Sequence, residues 1–277
     1  MFRILRREEL NFSTVLMEIE APKIAKKAMP GQFVIIKNGK EGERIPLTIA
    51  GYDREKGSVT VIFQAVGNST KKIAQLKKDE YITDFVGPLG RASELDSYKK
   101  VCVIGGGLGC AIAYPQAKYL FENGATVYII AGFRNKESVI LEKEMMGCGE
   151  LYVYTDDGSC GKKGFVTEGL EMLIANNQKF DLVIAIGPVA MMKAVSDITR
   201  KHNIKTIVSM NPIMIDGTGM CGGCRISVNK ETKFACVDGP DFDGHEVDFD
   251  NLLLRNRMYR HEECKNCNLL KEVEDNA

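Results

Sequence analysis

The 277-residue chain lacks a surplus of charge of either sign: 37 Lys and Arg face 37 Asp and Glu. A protein whose main work is to neutralise nucleic-acid phosphates needs a cationic excess, so nucleic acid is not expected as its principal partner. Long apolar runs are missing as well. The longest charge-free apolar stretch covers residues 101–115. It is glycine-rich and shorter than the roughly 20 residues a membrane helix needs. The opening residues reach charge at the third position and hold no apolar core, so no secretory signal is expected. Histidines are scarce, and His202, His245 and His261 show no triad arrangement. No internal repeat or low-complexity tract is present. These absences predict a cytoplasmic globular protein with no membrane and no nucleic-acid partner. A chain of this length buries about three quarters of its unfolded surface and needs no disulfide staples. In a reducing compartment its nine cysteines point to metal ligands, reactive thiols or core packing.

What is present falls into three textures. Residues 1–98 carry short strand-like runs at 12–19, 32–36, 45–50 and 58–63, with turn residues every 8–15 positions. That spacing predicts a β-barrel or sandwich. One helix interrupts it, with Ser69 and Thr70 as its expected cap. Residues 99–210 alternate apolar strands at 101–104, 126–131, 151–155, 182–186 and 206–210 with helical stretches. This pattern predicts a doubly wound α/β domain around a parallel sheet. Residues 211–277 are rich in Cys, Gly and Asp, show little periodicity, and form a third, small domain.

Gly105-Gly106-Gly107-Leu108-Gly109 stands between a buried strand and a helix. Glycine lets the backbone approach a pyrophosphate, and a helix N-terminus offers free N–H groups. The match to G-x-G-x-x-G is imperfect, because its third position falls on Cys110. A tight turn packed on its own sheet is the alternative. Gly187-Pro188, followed by Met191, ends another buried strand, where ligands bind in open α/β sheets. Asp156 follows the strand ending at Thr155. Its carboxylate suits a ribose diol and repels a 2′-phosphate, which favours NAD(H) over NADP(H); a solvated Asp-Asp-Gly-Ser turn is the alternative.

Arg44-Ile45-Pro46-Leu47-Thr48 lies in the first region, and Gly67, Ser69 and Thr70 begin its helix. Both an arginine and a helix start can receive a diphosphate. Together, ahead of a dinucleotide-type domain, they resemble the ferredoxin–NADP reductase superfamily. The resemblance implies an FAD-binding barrel with Arg44 at the flavin diphosphate. Pro46 and Leu47 would line the ring, and the Thr48 hydroxyl would stand near the reactive flavin nitrogen. Pro46 replaces the superfamily's usual aromatic. Gly67, Ser69 and Thr70 match its second diphosphate stretch. Gly187, Pro188 and Met191 match its nicotinamide-side motif, with Ile186 in place of a cysteine.

The most specific feature is Asp216-x4-Cys221-x2-Cys224-x11-Cys236. Three thiolates are one short of the four that an iron–sulfur cluster normally takes, and zinc also accepts three cysteines and one other ligand. The spacing resembles the C-x4-C-x2-C…C of the electron-transfer subunit of dihydroorotate dehydrogenase, with Asp216 at the first cysteine position. A three-cysteine, one-aspartate [2Fe–2S] cluster resembles a sister branch, the small subunits of NADH-dependent reduced ferredoxin:NADP⁺ oxidoreductase. This resemblance covers nearly the whole chain and implies a relay from NAD(H) through FAD and the [2Fe–2S] cluster. The recipient would be a larger flavoprotein subunit with its own FAD and [4Fe–4S] clusters, engaged in electron bifurcation. The dihydroorotate dehydrogenase subunit is the alternative. His261, Cys264 and Cys267 form a second possible metal site.

Overall fold

The computed structural model describes residues 1–258. The first unit comprises β1 (Phe2–Glu9), β2 (Thr14–Glu20), α1 (Pro22–Ala25), β3 (Phe33–Lys37), β4 (Ile45–Asp53), β5 (Ser58–Gln64), α2 (Asn68–Ala74), β6 (Tyr81–Ile82) and β7 (Asp84–Leu89). Its seven strands pair antiparallel in the order β6-β1-β2-β5-β4-β3-β7. The two edge strands, β6 and β7, are separated in the chain by Thr83 alone. The sheet must therefore curl until its edges meet, and the Thr83 hydroxyl, bonded to Lys37 O at 2.8 Å, marks the seam. Ile4, Met17, Ile19, Ile36, Val61 and Phe63 fill the interior. Strand β1 was not anticipated. Its residues are mostly charged and only Ile4 is fully buried, so it carries little alternating signal.

The second unit runs through β8 (Lys100–Gly106), α3 (Gly109–Glu122), β9 (Thr126–Phe133), α4 (Glu142–Met146), β10 (Glu150–Thr155), β11 (Lys162–Lys163), α5 (Val166–Ala175), β12 (Leu182–Ile186), α6 (Val189–Lys201) and β13 (Thr206–Ser209). The sheet order is β11-β10-β9-β8-β12-β13, all parallel. Strand β8 is buried on both faces. Val101 and Val103 pack with α3 on one side, while Cys102 and Ile104 face the layer of α5 and α6 on the other. Each fully buried aliphatic contributes about 1.5–3 kcal/mol. The chain winds outward from β8 to β10, then crosses back to β12. The switch point therefore lies at the carboxyl ends of β8 and β12, where the glycine loop and Gly187-Pro188 sit.

The remaining elements are the hairpin β14 (Arg225–Val228) and β15 (Glu231–Phe234), α7 (Ala235–Asp238), β16 (Asp241–Asp243) and α8 (Phe249–Arg255). Strand β16 returns to the second sheet and pairs antiparallel with β13. Among the described residues no helix is long and apolar enough to cross a membrane.

The three regions meet at one buried carboxyl. Asp241 Oδ2 accepts from the Ser93 hydroxyl at 2.6 Å and from Gln116 Nε2 at 3.0 Å. Asp241 Oδ1 and Gln116 Oε1, both buried, have no hydrogen-bond partner among the described residues. Burial pushes the Asp241 carboxyl up from 3.8, against the hydrogen bonds of Ser93, Ser209 and Gln116. A raised folded-state value means the native chain holds this proton more tightly than the unfolded chain. The resulting stability is complete below the ordinary value of 3.8 and is lost as pH rises through the raised one. Asp241→Asn, neutral at every pH, is therefore expected to gain in melting temperature relative to the native protein between pH 4 and pH 7. Asp241→Leu strands its hydrogen-bond donors and is expected to lose about 1–3 kcal/mol. Thermal melts of the three proteins at both pH values check this; parallel native and Asn curves would refute it.

Candidate functional site

The glycine loop turns sharply because nothing larger fits. A Cβ on Gly105 would lie 2.7 Å from Cys110 Cα, and one on Gly109 would lie 2.2 Å from Ile186 O. Gly107 has φ +56 and its N–H bonds Gly132 O at 2.8 Å. The sequence pattern puts the third glycine position on Cys110. The structure gives the close helix–strand approach to Gly109, and Cys110 is simply core, with 0% exposure. Across the crevice, a Cβ on Gly106 would meet Met191 Sδ at 2.5 Å and Pro188 Cδ at 3.1 Å, and one on Gly187 would meet Met191 Cε at 2.8 Å. Gly106, Gly187, Pro188 and Met191 thus form one wall, as the pairing of β8 with β12 requires.

The exposed pair Asp156-Asp157 divides its work. Asp157 shapes the turn by accepting from Ser159 N at 2.9 Å and from its hydroxyl at 2.6 Å; these bonds hold its carboxyl below the ordinary value. Asp156 N bonds Phe133 O at 3.1 Å, which ties the ends of β9 and β10 together. Its carboxylate has no hydrogen bond among the described residues and faces solvent.

In the barrel, Pro46, Leu47 and Thr48 lie on β4 opposite Ile35, Val34 and Phe33 of β3, and all three are half-buried. The helix cap differs from expectation. Gly67, not Ser69 or Thr70, is the N-cap of α2. Thr70 sits one turn in, and its hydroxyl donates to Gly67 O and accepts from Gly67 N, both at 3.0 Å. The Ser69 hydroxyl donates to the carboxylate of Glu43, a residue the sequence did not single out.

The cysteine loop folds through three left-handed glycines, Gly217 at φ +79, Gly219 at φ +89 and Gly222 at φ +65. Side chains rarely adopt these angles, so the G-T-G-x-x-G-G spacing is a backbone requirement. Cys224 and Cys236, each 2% exposed, are brought together, with Cys236 N donating to Cys224 Sγ at 3.4 Å. Cys221 is exposed and its sulfur accepts from Gly223 N at 3.4 Å. Burial, then the Cys224 thiol, push the Cys236 thiol up to about 12. Such a thiol is no free nucleophile; a bound metal would deprotonate it outright. Asp216 Oδ2 accepts from Thr218 N at 3.0 Å, from the Thr218 hydroxyl and from Met220 N at 3.4 Å. These bonds, the Thr218 hydroxyl first, hold its carboxyl below the ordinary value. Among the described residues no three His, Cys, Asp or Glu side chains stand together so as to hold one metal ion. A two-iron cluster asks for less, because its four ligands are divided between two irons. The buried Cys224–Cys236 pair fits one iron, and N–H groups already point at the sulfurs, so the donor set fits such a cluster.

The thiol pair rests on the barrel. Cys224, Ala235 and Cys236 share a core with Phe33 and Ile35 of β3. Arg44, just before β4, donates from Nη2 to Asp216 O at 3.2 Å. Cys102, buried against α5 and α6, is core, and burial alone pushes its thiol up. His261, Cys264 and Cys267 lie outside the described residues.

Comparison with known proteins agrees with this arrangement. Residues 211–248 match the iron–sulfur cluster binding domain of dihydroorotate dehydrogenase B. The chain is 44% identical over 245 residues to the dihydroorotate dehydrogenase B (NAD(+)) electron transfer subunit homolog of Thermotoga maritima, covering 88% of this chain and 86% of that one. It is 40% identical, with a TM-score of 0.92 over 98% of both chains, to a chain in a structure of NADH-dependent reduced ferredoxin-NADP oxidoreductase that gave insights into flavin-based electron bifurcation. The ferredoxin-NADP+ reductase of Plasmodium falciparum shares the fold at 17% identity, with a TM-score of 0.57 over 73% of this chain and 89% of that one. The chain therefore belongs to the family of dihydroorotate dehydrogenase B electron-transfer subunits and their homologues, oxidoreductase subunits built on the ferredoxin–NADP reductase fold.

Proposed function

We propose that this chain is a cytoplasmic electron-transfer subunit that passes electrons between NAD(H), FAD and a [2Fe–2S] cluster. The recipient is a larger FAD- and [4Fe–4S]-carrying flavoprotein subunit, and the pair performs flavin-based electron bifurcation. One observation carries the reading. Phe33 of β3 pairs with Thr48 on its flank and belongs to the same buried cluster as Cys224, Ala235 and Cys236. This supports the reading, because the residues proposed for the flavin ring and for the cluster are joined through a single strand, with neighbouring strands roughly 5 Å apart.

When bound, the flavin would accept one hydride (two electrons and a proton) from NADH and pass the two electrons singly to the cluster, the proton going to solvent. The chain's own residues position these groups. Arg44 and the Gly67, Ser69 and Thr70 turn face the flavin diphosphate, where Ser69 must exchange its bond to Glu43 for a phosphate oxygen. Pro46 and Leu47 line the ring and Thr48 offers its hydroxyl to the reactive nitrogen. Gly105, Gly106, Gly107 and Gly109 open the crevice to the dinucleotide. Gly187, Pro188 and Met191 form its nicotinamide wall, and Asp156 takes the adenosine ribose. Cys224 and Cys236 would hold one iron, which leaves Cys221 and Asp216 for the other.

Purified protein is expected to be brown-yellow, with about one FAD and two irons per chain, and to bleach on addition of NADH with a reduced-cluster signal in electron paramagnetic resonance. A colourless preparation with zinc and no iron would overturn the reading. The dihydroorotate dehydrogenase subunit is the second reading, favoured by the match over residues 211–248. Asp216 at the first ligand position favours the bifurcating branch. The co-purifying subunit decides between them: a [4Fe–4S] flavoprotein supports bifurcation, whereas a subunit that oxidises dihydroorotate supports the alternative.

A further inference from the structure

One hydrogen bond and one close backbone approach pin the start of the cysteine loop to the barrel. Arg44 Nη2 holds the carbonyl of Asp216 at 3.2 Å across 172 positions of sequence. At the next residue, Gly217 lies on the barrel wall at φ +79, where an added Cβ would lie 2.9 Å from Ile35 Cδ1 and Cγ1 and 3.6 Å from Leu89 Cδ1. The anchors share a strand pair, since Arg44 precedes β4, and Ile35 lies on β3 opposite Pro46. Arg44 takes the backbone oxygen of Asp216, while Thr218 and Met220 take the carboxylate. The arginine thereby sets where residue 216 stands without occupying its side chain. A guanidinium carries five donors in a rigid fork, so one bond to Asp216 leaves others free for an anion.

We propose that Arg44 is a positioning residue shared by the flavin-diphosphate site and the cluster-binding loop, so that flavin binding and cluster retention are energetically linked. The inference rests on the functional reading above. A bound diphosphate holds the Arg44 fork in place, and the fork holds the loop. Loss of flavin frees the fork and loosens the loop at the end that carries the proposed Asp216 ligand. Linkage of this kind is reciprocal: cluster loss must weaken flavin binding by the same factor.

The test measures iron release to a ferrous chelator under reducing conditions, with and without bound FAD, in the holoprotein and in Arg44→Lys and Arg44→Gln. A hydrogen bond to a charged group is worth a factor of about ten or more, so removing FAD is expected to speed iron release about tenfold in the native chain. In both variants release is fast and indifferent to FAD. Lysine keeps the charge but not the fork, so Arg44→Lys separates positioning from simple attraction. Amide exchange at Gly217 and Thr218 in FAD-saturated Arg44→Lys gives a second readout that needs no flavin removal; faster exchange than in the native chain is expected. Iron release that responds to FAD equally in all three proteins, or exchange that Arg44→Lys leaves unchanged, overturns the inference alone. A native preparation with neither flavin nor iron overturns the functional reading and this inference with it.

Discussion

Gly109→Ala is expected to lower the melting temperature of the nucleotide domain by about 6–12 °C and to abolish NAD(H) binding. The added Cβ would lie 2.2 Å from Ile186 O, 2.7 Å from Ile186 C and 2.9 Å from Gly187 Cα. All three are backbone atoms of β12 and its end, in a sheet whose neighbours are buried on both faces, so none can turn aside as a side chain would. Helix α3 must move off the sheet, at a cost near the upper end of the overpacking range, about 3 kcal/mol. For a chain of this size, 1 kcal/mol corresponds to about 2–4 °C. The helix start moves with it, so the crevice at the switch point loses its shape. Gly106→Ala is the control. Its Cβ meets chiefly the thioether of Met191, a flexible group able to swing away. That variant is expected to melt within a few degrees of the native protein while binding nucleotide more weakly. Calorimetry with nucleotide titration separates the two, and a Gly109→Ala protein melting like the native chain would remove Gly109 from this role.

Cys236→Ala is expected to lower bound iron at least about tenfold, since loss even of an outer-shell partner weakens a metal site by 10–100-fold. The packing loss is small by comparison. Cys236 is 2% exposed among Phe33, Ile35 and Ala235, and removing one sulfur leaves a cavity worth about 1 kcal/mol. Two other cysteines calibrate the result. Cys102→Ala removes a thiol that is 0% exposed in the core of the α/β domain and should cost stability without touching iron. Cys160→Ala removes a half-buried thiol outside the cysteine loop and should change neither. Iron and flavin analysis on the four proteins makes the comparison. Full iron in Cys236→Ala would exclude this residue as a ligand and, with it, the pairing with Cys224.

Much of this architecture is legible in the chain. The strand at 101–104 is apolar at every position because it is covered on both faces, and a continuous apolar run announces that without any knowledge of its neighbours. The glycine loop is legible for a related reason: no other residue tolerates such close backbone approach. The cysteine spacing marks a local loop, and its left-handed glycines are written into the same few residues. Strand β1 is not legible, because a strand with one fully buried side chain carries no periodic signal. Strand β16 is hidden for another reason. It is three residues long and owes its existence to an unpaired edge on β13, which lies more than thirty positions away.

Local chemistry by itself therefore determined the three textures, the phosphate-type turn and the ligand candidates Asp216, Cys221, Cys224 and Cys236. Each depends on backbone conformation or burial within a short window. Only the tertiary structure decided that Gly109 makes the close approach, that Glu43 holds Ser69, that Ser93, Gln116 and Asp241 meet in one buried junction, and that Arg44 reaches across 172 residues to Asp216. Those contacts join segments whose separation in sequence carries no spacing rule. Their partners are chosen by how the curled sheet, the twisted sheet and the cysteine loop close on one another.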